Sequence, residues 1–450
     1  MDFELIKRAL ADALGELGIT EYEMYYMSSS ESSVGTLNRE VNSSSSGVHG
    51  GICLRVLVDG RLGYAATELM TAEEMRDLAS RALDNARFVE KEAKVGIFAG
   101  SPEYEESRLD EYTPMSSEQL RTCAVKLGES LFSKDERVRE GTESQAVSMG
   151  FDIRLVNSHG LDLYTSVGVN VAIAEAIVAS GDESQSAYAI DRIADGELDA
   201  SVARATDKAV DEALSKIGAG LLDSGRYNVI ISGKQMRSLL SVFSSAFSAR
   251  SVLDGVSMLK DKLGESIASE AVTITDDPQR EGNTIGTAFD AEGVATHRRA
   301  VVDKGTLLTY LHNRETAAEM NTESTANASK ADYSSPIAIR PYSFCIEPGE
   351  YGFDELLQLV GEGVYITELK GLHAGANAVS GDFSLESAGF VIKNGRIDRA
   401  VRSFTVAGNF FELLKSITAV SDELELGVAT GFTGFGSPAV LVRELSIAGK

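Results

Sequence analysis

At 450 residues the chain exceeds the usual single-domain size, so two or three units, each with its own core, are expected. Its 43% hydrophobic and 24% charged residues are those of an ordinary globular protein. With 42 Lys and Arg against 68 Asp and Glu, the net charge is −26; such a surface repels phosphate backbones and anionic membranes, and neither nucleic acid nor membrane is expected as a direct partner.

The N-terminal stretch MDFELIKRALADALGELG places Phe3, Leu5, Ile6, Leu10, Leu14 and Leu17 on a helical stripe interrupted by charges, which predicts an amphipathic helix rather than a signal-peptide core. The segment NSSSSG at Asn42 to Gly47 reads as a turn or flexible loop. In GGICLRVLVDGRLGYAAT, Ile52, Leu54, Val56 and Val58 alternate up to Asp59-Gly60, which predicts a hairpin. A helix follows, with Thr71 and Glu74 as a capping box and Met75, Leu78, Ala82 and Leu83 as its apolar face. GSPEYEESRLDEYTPM then reads as a surface connection.

A further helix starts at Ser116, with Gln119 completing a second capping box and Leu120, Cys123, Ala124, Leu127 and Leu131 on one stripe, so Cys123 is expected in the core. The alternating run from Ser144 to Ser180 predicts two or three antiparallel strands with His159 in a turn, and ARATDKAVDEALSKIGAG predicts a helix stopped by glycines. A domain boundary is expected near residues 218 to 226, dividing residues 1–222 (subregions 1–100 and 101–222) from residues 223–450. Beyond it come the strand RYNVIIS, a helix with Met236, Leu239, Leu240, Phe243 and Phe247 on one face, and a hairpin turning at Asp303-Lys304-Gly305. A short helix near RETAAEM and a hairpin at Asn394-Gly395 follow. The fold class read from this order is α+β and two-lobed: an N-terminal, sandwich-like half of antiparallel strands and helices, and a mainly antiparallel β C-terminal half with a few packed helices.

Cys53, Cys123 and Cys345 are too far apart and too few for a disulfide framework or a Cys-x-x-Cys metal site, which suggests a reducing compartment. No apolar run is long enough for a membrane span, and a cytoplasmic location is expected. Catalytic templates do not fit. None of His49, His159, His297, His312 and His373 is followed by glutamate, as a zincin helix requires. LLDSGRY holds a single Asp-Ser-Gly, which between a helix and a strand is ordinary turn chemistry. Ser384 in GDFSLES lacks the glycines of a nucleophile elbow, and GFTGFGSPA lacks the lysine and spacing of a phosphate loop, reading instead as a flexible turn before VLVRELSIAG.

What remains is the polar, glycine-rich stretch GLHAGANAVSGDFSLESAG from Gly371, together with LHNRETAAEM and NTESTANASKADYSSPIAIRP. His373, Asn377, Ser380, Asp382, Ser384 and His312 are candidate contacts to a peptide main chain or to an interface. Equally, Asn377, Ser380 and Asp382 can bond their own loop's backbone as turn formers.

The string GLHAGANAVSGDFSLESAGFVIKNGRI, followed by VRSFTVAGNFFELLKSI, closely resembles the C-terminal signature of the TldD/PmbA family, in its PmbA (TldE) branch. GTAFDAEGVATHRRAVVDKGTLLTYLHNRETA extends the likeness, which covers essentially the whole chain. The resemblance implies a two-lobed subunit of a cytoplasmic metalloprotease acting on peptides or unstructured chains. In that family the catalytic, TldD-type subunit holds zinc through His-Glu-x-x-x-His and a later cysteine. Here Ser241, Val242 and Ala246 stand where those helical residues would fall, and LGVATGFTGFGSPA offers no cysteine. The resemblance thus implies no catalytic residue, metal ligand or cofactor in this chain, with zinc only in a catalytic partner. A heterodimer with a TldD-like subunit is the expectation; the alternative is a stand-alone homodimer that binds peptides without cleaving them.

Overall fold

The structure is a computed structural model that describes residues 3–105, 112–283, 285–429 and 431–450. Part of the connection GSPEYEESRLDEYTPM lies outside the described residues. The first half is one antiparallel sheet of six strands: β1 (Tyr22–Leu37), β2 (Glu40–Val58), β3 (Arg61–Thr67), β4 (Glu143–Asn157), β5 (Asp162–Ser180) and β6 (Glu183–Arg192), in the order β3-β2-β1-β4-β5-β6. Helices α1 (Phe3–Glu16) and α2 (Ala72–Phe88) cover one end of the sheet, and α3 (Ser117–Lys134) and α4 (Leu198–Ser215) the other.

Strand periodicity fixes which residues meet what. Met24, Ile52, Leu54, Val56 and Val156 face α1 and α2, while Ala172, Ala174, Ala176 and Val178 face α3 and α4. Their neighbours point the other way, and that face is covered by the second half: Tyr25, Met27, Cys53, Ile153 and Leu155 pack on Phe289, Ala291 and Ala328, and Val167, Val169 and Val171 on Ile285 and Ala429. Close approach of α2 depends on Gly63, where a Cβ would collide with the backbone at Ala82 and Ala86.

The second half holds two more six-stranded sheets. One runs through Thr306–Leu307, Arg299–Asp303, Ile274–Asp276, Ser343–Ile346, Gly434–Ser437 and Glu425–Leu426. The other runs through Arg396–Asn409, Asp382–Lys393, Gly363–Lys370, β7 (Gly225–Ile231), Val440–Ala448 and Ile417–Val420. Between them lies α5 (Gly233–Phe243), capped by Ser232 and touching strands of both sheets. Its buried face, Met236, Leu239, Leu240 and Phe243, enters the largest core cluster, and Phe243 stacks on Phe410 with ring centroids 4.6 Å apart. Truncating so buried a ring costs about 3–5 kcal/mol, so this face holds α5 rigidly. The described residues thus form a two-lobed α+β protein, and none of their helices is long and apolar enough to cross a membrane.

Several local expectations meet the structure directly. Asp59-Gly60, Lys304-Gly305 and Asn394-Gly395 all have positive φ at their turns, and Ser116 and Gln119 form the full capping box. Three details differ. Thr71 does accept from the Glu74 amide, but the Glu74 carboxylate accepts from Arg81 Nη2 at 2.7 Å instead of closing the box. The serines of NSSSSG are not a loop: they lie within β2, where Ser45 and Ser46 hydroxyls bond those of Ser33 and Ser32, each at 2.9 Å. GFTGFGSPA contains the strand Gly434–Ser437, which pairs in parallel with Ser343–Ile346.

Candidate functional site: a cleft at the junction of the halves

A cleft of about 1150 Å³ opens where β6 and α4 meet α5. Its walls are Tyr188 to Asp191 of the edge strand β6, Arg204 and Lys208 of α4, and the polar side of α5 with the turn after it, including Ser241, Val242 and Ser245. The lining continues through the segment Glu425 to Val428, which packs directly on α5, with Thr433 and Phe435, and Leu372 reaches in from the glycine-rich stretch. Two segments almost two hundred residues apart are therefore brought together in one lining: α5 with the turn after it, and the segment Glu425 to Val428.

The helix ends at Phe243 and continues as a tight turn over Ser244–Phe247. Ser241 and Val242 reach the cleft, whereas Ala246 is buried in the core and Ser245 takes the cleft-side position. A hydroxyl, an isopropyl group and a second hydroxyl are poor metal ligands. Among the described residues, no three His, Cys, Asp or Glu side chains converge as a metal's ligand set would. The two acids of the cleft are engaged otherwise: Asp191 pairs with Arg204 at 2.9 Å, and Glu425 with Lys208 at 2.9 Å while also accepting from the Lys234 amide. Although burial works against its charge, the Lys208 ammonium beside it holds the Glu425 carboxyl below the usual carboxylate range. A zinc site of the family type does not fit these residues.

The stretch from Gly371 lies beside this cleft, and its polar side chains mostly serve the loop itself. Asn377 Oδ1 accepts from the amides of Val379 at 2.9 Å and Ser380 at 3.3 Å, and Ser380 Oγ accepts from the Asp382 amide at 3.3 Å. Asn409 Nδ2 donates to the Ser380 carbonyl and to Asp382 Oδ1, at 2.8 and 3.0 Å. Hydrogen bonds to the carboxylate from the Asn409 side chain and, as the smaller cause, the Ser380 side chain hold the Asp382 carboxyl below its ordinary value. His373 and Ser384 are exposed. His312 lies elsewhere, only 2% exposed, with its amide donating to Thr325 Oγ1 at 2.6 Å and its carbonyl accepting from the Asn327 amide at 3.1 Å. Burial, with the Arg299 guanidinium adding to it, pushes its imidazole down to about 4, so the ring is neutral at pH 7. The six candidates therefore form no single site.

Sequence reasoning missed the charges buried between the halves. Arg55 sits 2.9 Å from Glu23 and 3.5 Å from Glu292, with side chains only 5%, 4% and 3% exposed. Asp290 is buried beside them and accepts from the amides of Glu292, Val294 and Ala328. Arg55 follows Leu54 and precedes Val56 in an alternating strand, so it reads as solvent-facing; only the docking of the second half buries it.

Comparison with known proteins agrees with this architecture. Residues 224–449 match the model of the PmbA/TldA metallopeptidase C-terminal domain, and residues 22–86 that of PmbA/TldA metallopeptidase domain 1. A metalloprotease of Methanocaldococcus jannaschii is 26% identical, with 95% of each chain covered, and the metalloprotease PmbA of Escherichia coli O157:H7 is 26% identical over 93% of this chain and 90% of its own. Among solved structures, a Thermotoga maritima protein described as a candidate modulator of a DNA gyrase superposes with a TM-score of 0.88, at 31% identity, covering 99% of this chain and all of that one. TldE from Thermococcus kodakarensis shares the fold, with a TM-score of 0.84 at 22% identity over 98% of this chain and 100% of that one. The chain belongs to the PmbA/TldD family of metalloproteases.

Proposed function

We propose that the chain is the non-catalytic subunit of a metalloprotease of this family, holding peptides or unstructured chains while a TldD-like subunit carries the zinc and the hydrolytic chemistry. The observation that supports this reading is the cleft: the two segments that the family resemblance aligns with a metal's ligands both line it, but with Ser241, Val242, Ser245 and Thr433. None of these can polarise a water as a zinc ion with a neighbouring glutamate would. What they can do is bind. The cleft is large enough for several residues of an extended chain, and among the described residues β6 is an edge strand whose outer side carries no strand partner. Such an edge offers main-chain hydrogen bonds to an extended peptide whatever its sequence. A reducing, cytoplasmic location accords with three unpaired, buried cysteines.

An affinity pull-down from the native source, with mass spectrometry of what accompanies the chain, tests this. A relative bearing His-Glu-x-x-x-His is the expected companion. Recovery of the chain solely as a complex with itself would refute the heterodimer and leave a homodimeric peptide binder. Direct action on DNA is disfavoured by the net charge of −26.

A further inference from the structure

Charge is distributed unevenly between this cleft and the rest of the chain. Against an overall net charge of −26, the cleft is lined by five basic residues, Arg204, Lys208, Lys234, Arg237 and Arg340, and two acidic ones, Asp191 and Glu425, a local balance of 5 − 2 = +3. Three of the five cations are already matched: Arg204 to Asp191, Lys208 to Glu425, and Lys234 to Glu212 at 3.2 Å. Among the described residues, Arg237 and Arg340 form no ion pair within 4.0 Å, although the charge of Arg237 also acts on Glu425, which Lys208 already holds.

Both are held in place by their surroundings. Arg237 rises from the rigid helix α5, and its guanidinium lies against the backbone of Gly427, where a Cβ would sit 3.3 Å from Cζ and Nε. Arg340 is clamped on both sides of its peptide: its amide donates to the Asn327 carbonyl at 3.0 Å, and its own carbonyl accepts from Asn327 Nδ2 at 3.1 Å. A concave, positively charged wall on a strongly negative molecule concentrates anions. A guanidinium fork matches a carboxylate in geometry as well as charge. A nucleic-acid backbone would have to cross the repulsive field of the whole surface to reach it, which favours a short acidic chain.

We propose that the cleft selects peptides carrying carboxylates, through Arg237 and Arg340, and so sets a preference for acidic over neutral or basic segments. This rests on the reading of the cleft as a peptide site. The carboxylate can come from Asp or Glu side chains or from a peptide's C-terminus, and the test separates the two.

Titration calorimetry of the full chain with unlabelled, extended octapeptides reads the preference. Four share one neutral Gly/Ser/Ala frame: one amidated, one with a free C-terminus, one amidated with two Glu, and one amidated with two Lys. The amidated acidic peptide should bind about tenfold or more tighter than the neutral amidated one, corresponding to at least one carboxylate–guanidinium contact, and the advantage should shrink at high salt. A matching gain for the free C-terminus assigns the site to terminal carboxylates as well. Arg237→Gln with Arg340→Gln should bring the acidic-to-neutral ratio to about one, whereas Arg237→Lys should retain part of it. An unchanged thermal midpoint in the variants shows that folding is not the cause. Equal affinities for the acidic, neutral and basic peptides would overturn the selectivity while leaving the peptide site standing. No binding of any peptide would overturn both, and tighter binding of an oligonucleotide than of the acidic peptide would overturn the choice of ligand.

Discussion

Replacing Arg55 by Met keeps most of the side chain's length and removes its charge, leaving Glu23 and Glu292 buried with no cation as near. Removing one partner of a buried ion pair costs about 3–5 kcal/mol, because the penalty is the desolvated charge left behind rather than the lost attraction alone. With all three side chains no more than 5% exposed, solvent cannot screen the loss, and the upper part of that range is expected. Because Arg55 points toward the second half, the cost should appear as looser docking of the halves. Urea unfolding at pH 7, followed by circular dichroism and by tyrosine fluorescence from the interface, measures it. Glu23→Gln and Glu292→Gln, added to Arg55→Met, should restore most of the stability, since replacing every charge in such a cluster is often neutral. The cost of Arg55→Met alone should also shrink toward pH 5: burial already pushes the Glu23 carboxyl up, and without Arg55 it takes a proton more readily. A loss below about 1 kcal/mol at pH 7, the range of exposed pairs, would refute the reasoning.

Two further outcomes follow from the same structure. His312 has a folded value of about 4 against an ordinary 6.5, so below pH 6.5 the unfolded chain binds a proton that the folded one does not. Its contribution to stability is therefore present above pH 6.5 and is lost as pH falls toward about 4, by about 3 kcal/mol in all. Asp276, buried and raised to about 6, slopes the opposite way, so the difference between the parent and His312→Asn isolates the histidine; parallel stability curves from pH 7 to 4 would contradict the assignment. Asn377→Ala removes the acceptor for two loop amides and should cost about 1 kcal/mol, with faster amide exchange at Val379 and Ser380, whereas exposed His373→Ala should leave stability unchanged; the reverse order would favour a binding role for Asn377 over the turn-forming one.

Legibility in the sequence followed the range of the physical signal. The hairpins at Asp59-Gly60 and Asn394-Gly395 and the caps at Thr71 and Ser116 are set by neighbours a few residues away, and a local pattern reports them. The long serine-rich end of β2 is illegible because both its faces are wet: it has no apolar alternation, and only its pairing with β1, in backbone register and through cross-strand hydroxyls, shows that it is a strand. Parallel neighbours such as β7 and Gly363–Lys370 lie more than a hundred residues apart and leave no local trace. The same holds for the cleft. The glycine-rich stretch from Gly371 stands out by composition, yet among the described residues Leu372 alone of that stretch lines the cleft, and Arg237 and Arg340, which form no ion pair within 4.0 Å there, stand in unremarkable surroundings on the chain.

Zinc content and peptidase activity measured together, on the purified chain alone and after mixing with a TldD-type relative bearing His-Glu-x-x-x-His, test the central claim most directly. The account predicts no stoichiometric zinc and no chelator-sensitive cleavage from the chain alone, with hydrolysis of unstructured peptides appearing on mixing. Stoichiometric zinc in the isolated chain, with peptide cleavage that a chelator abolishes, would contradict it.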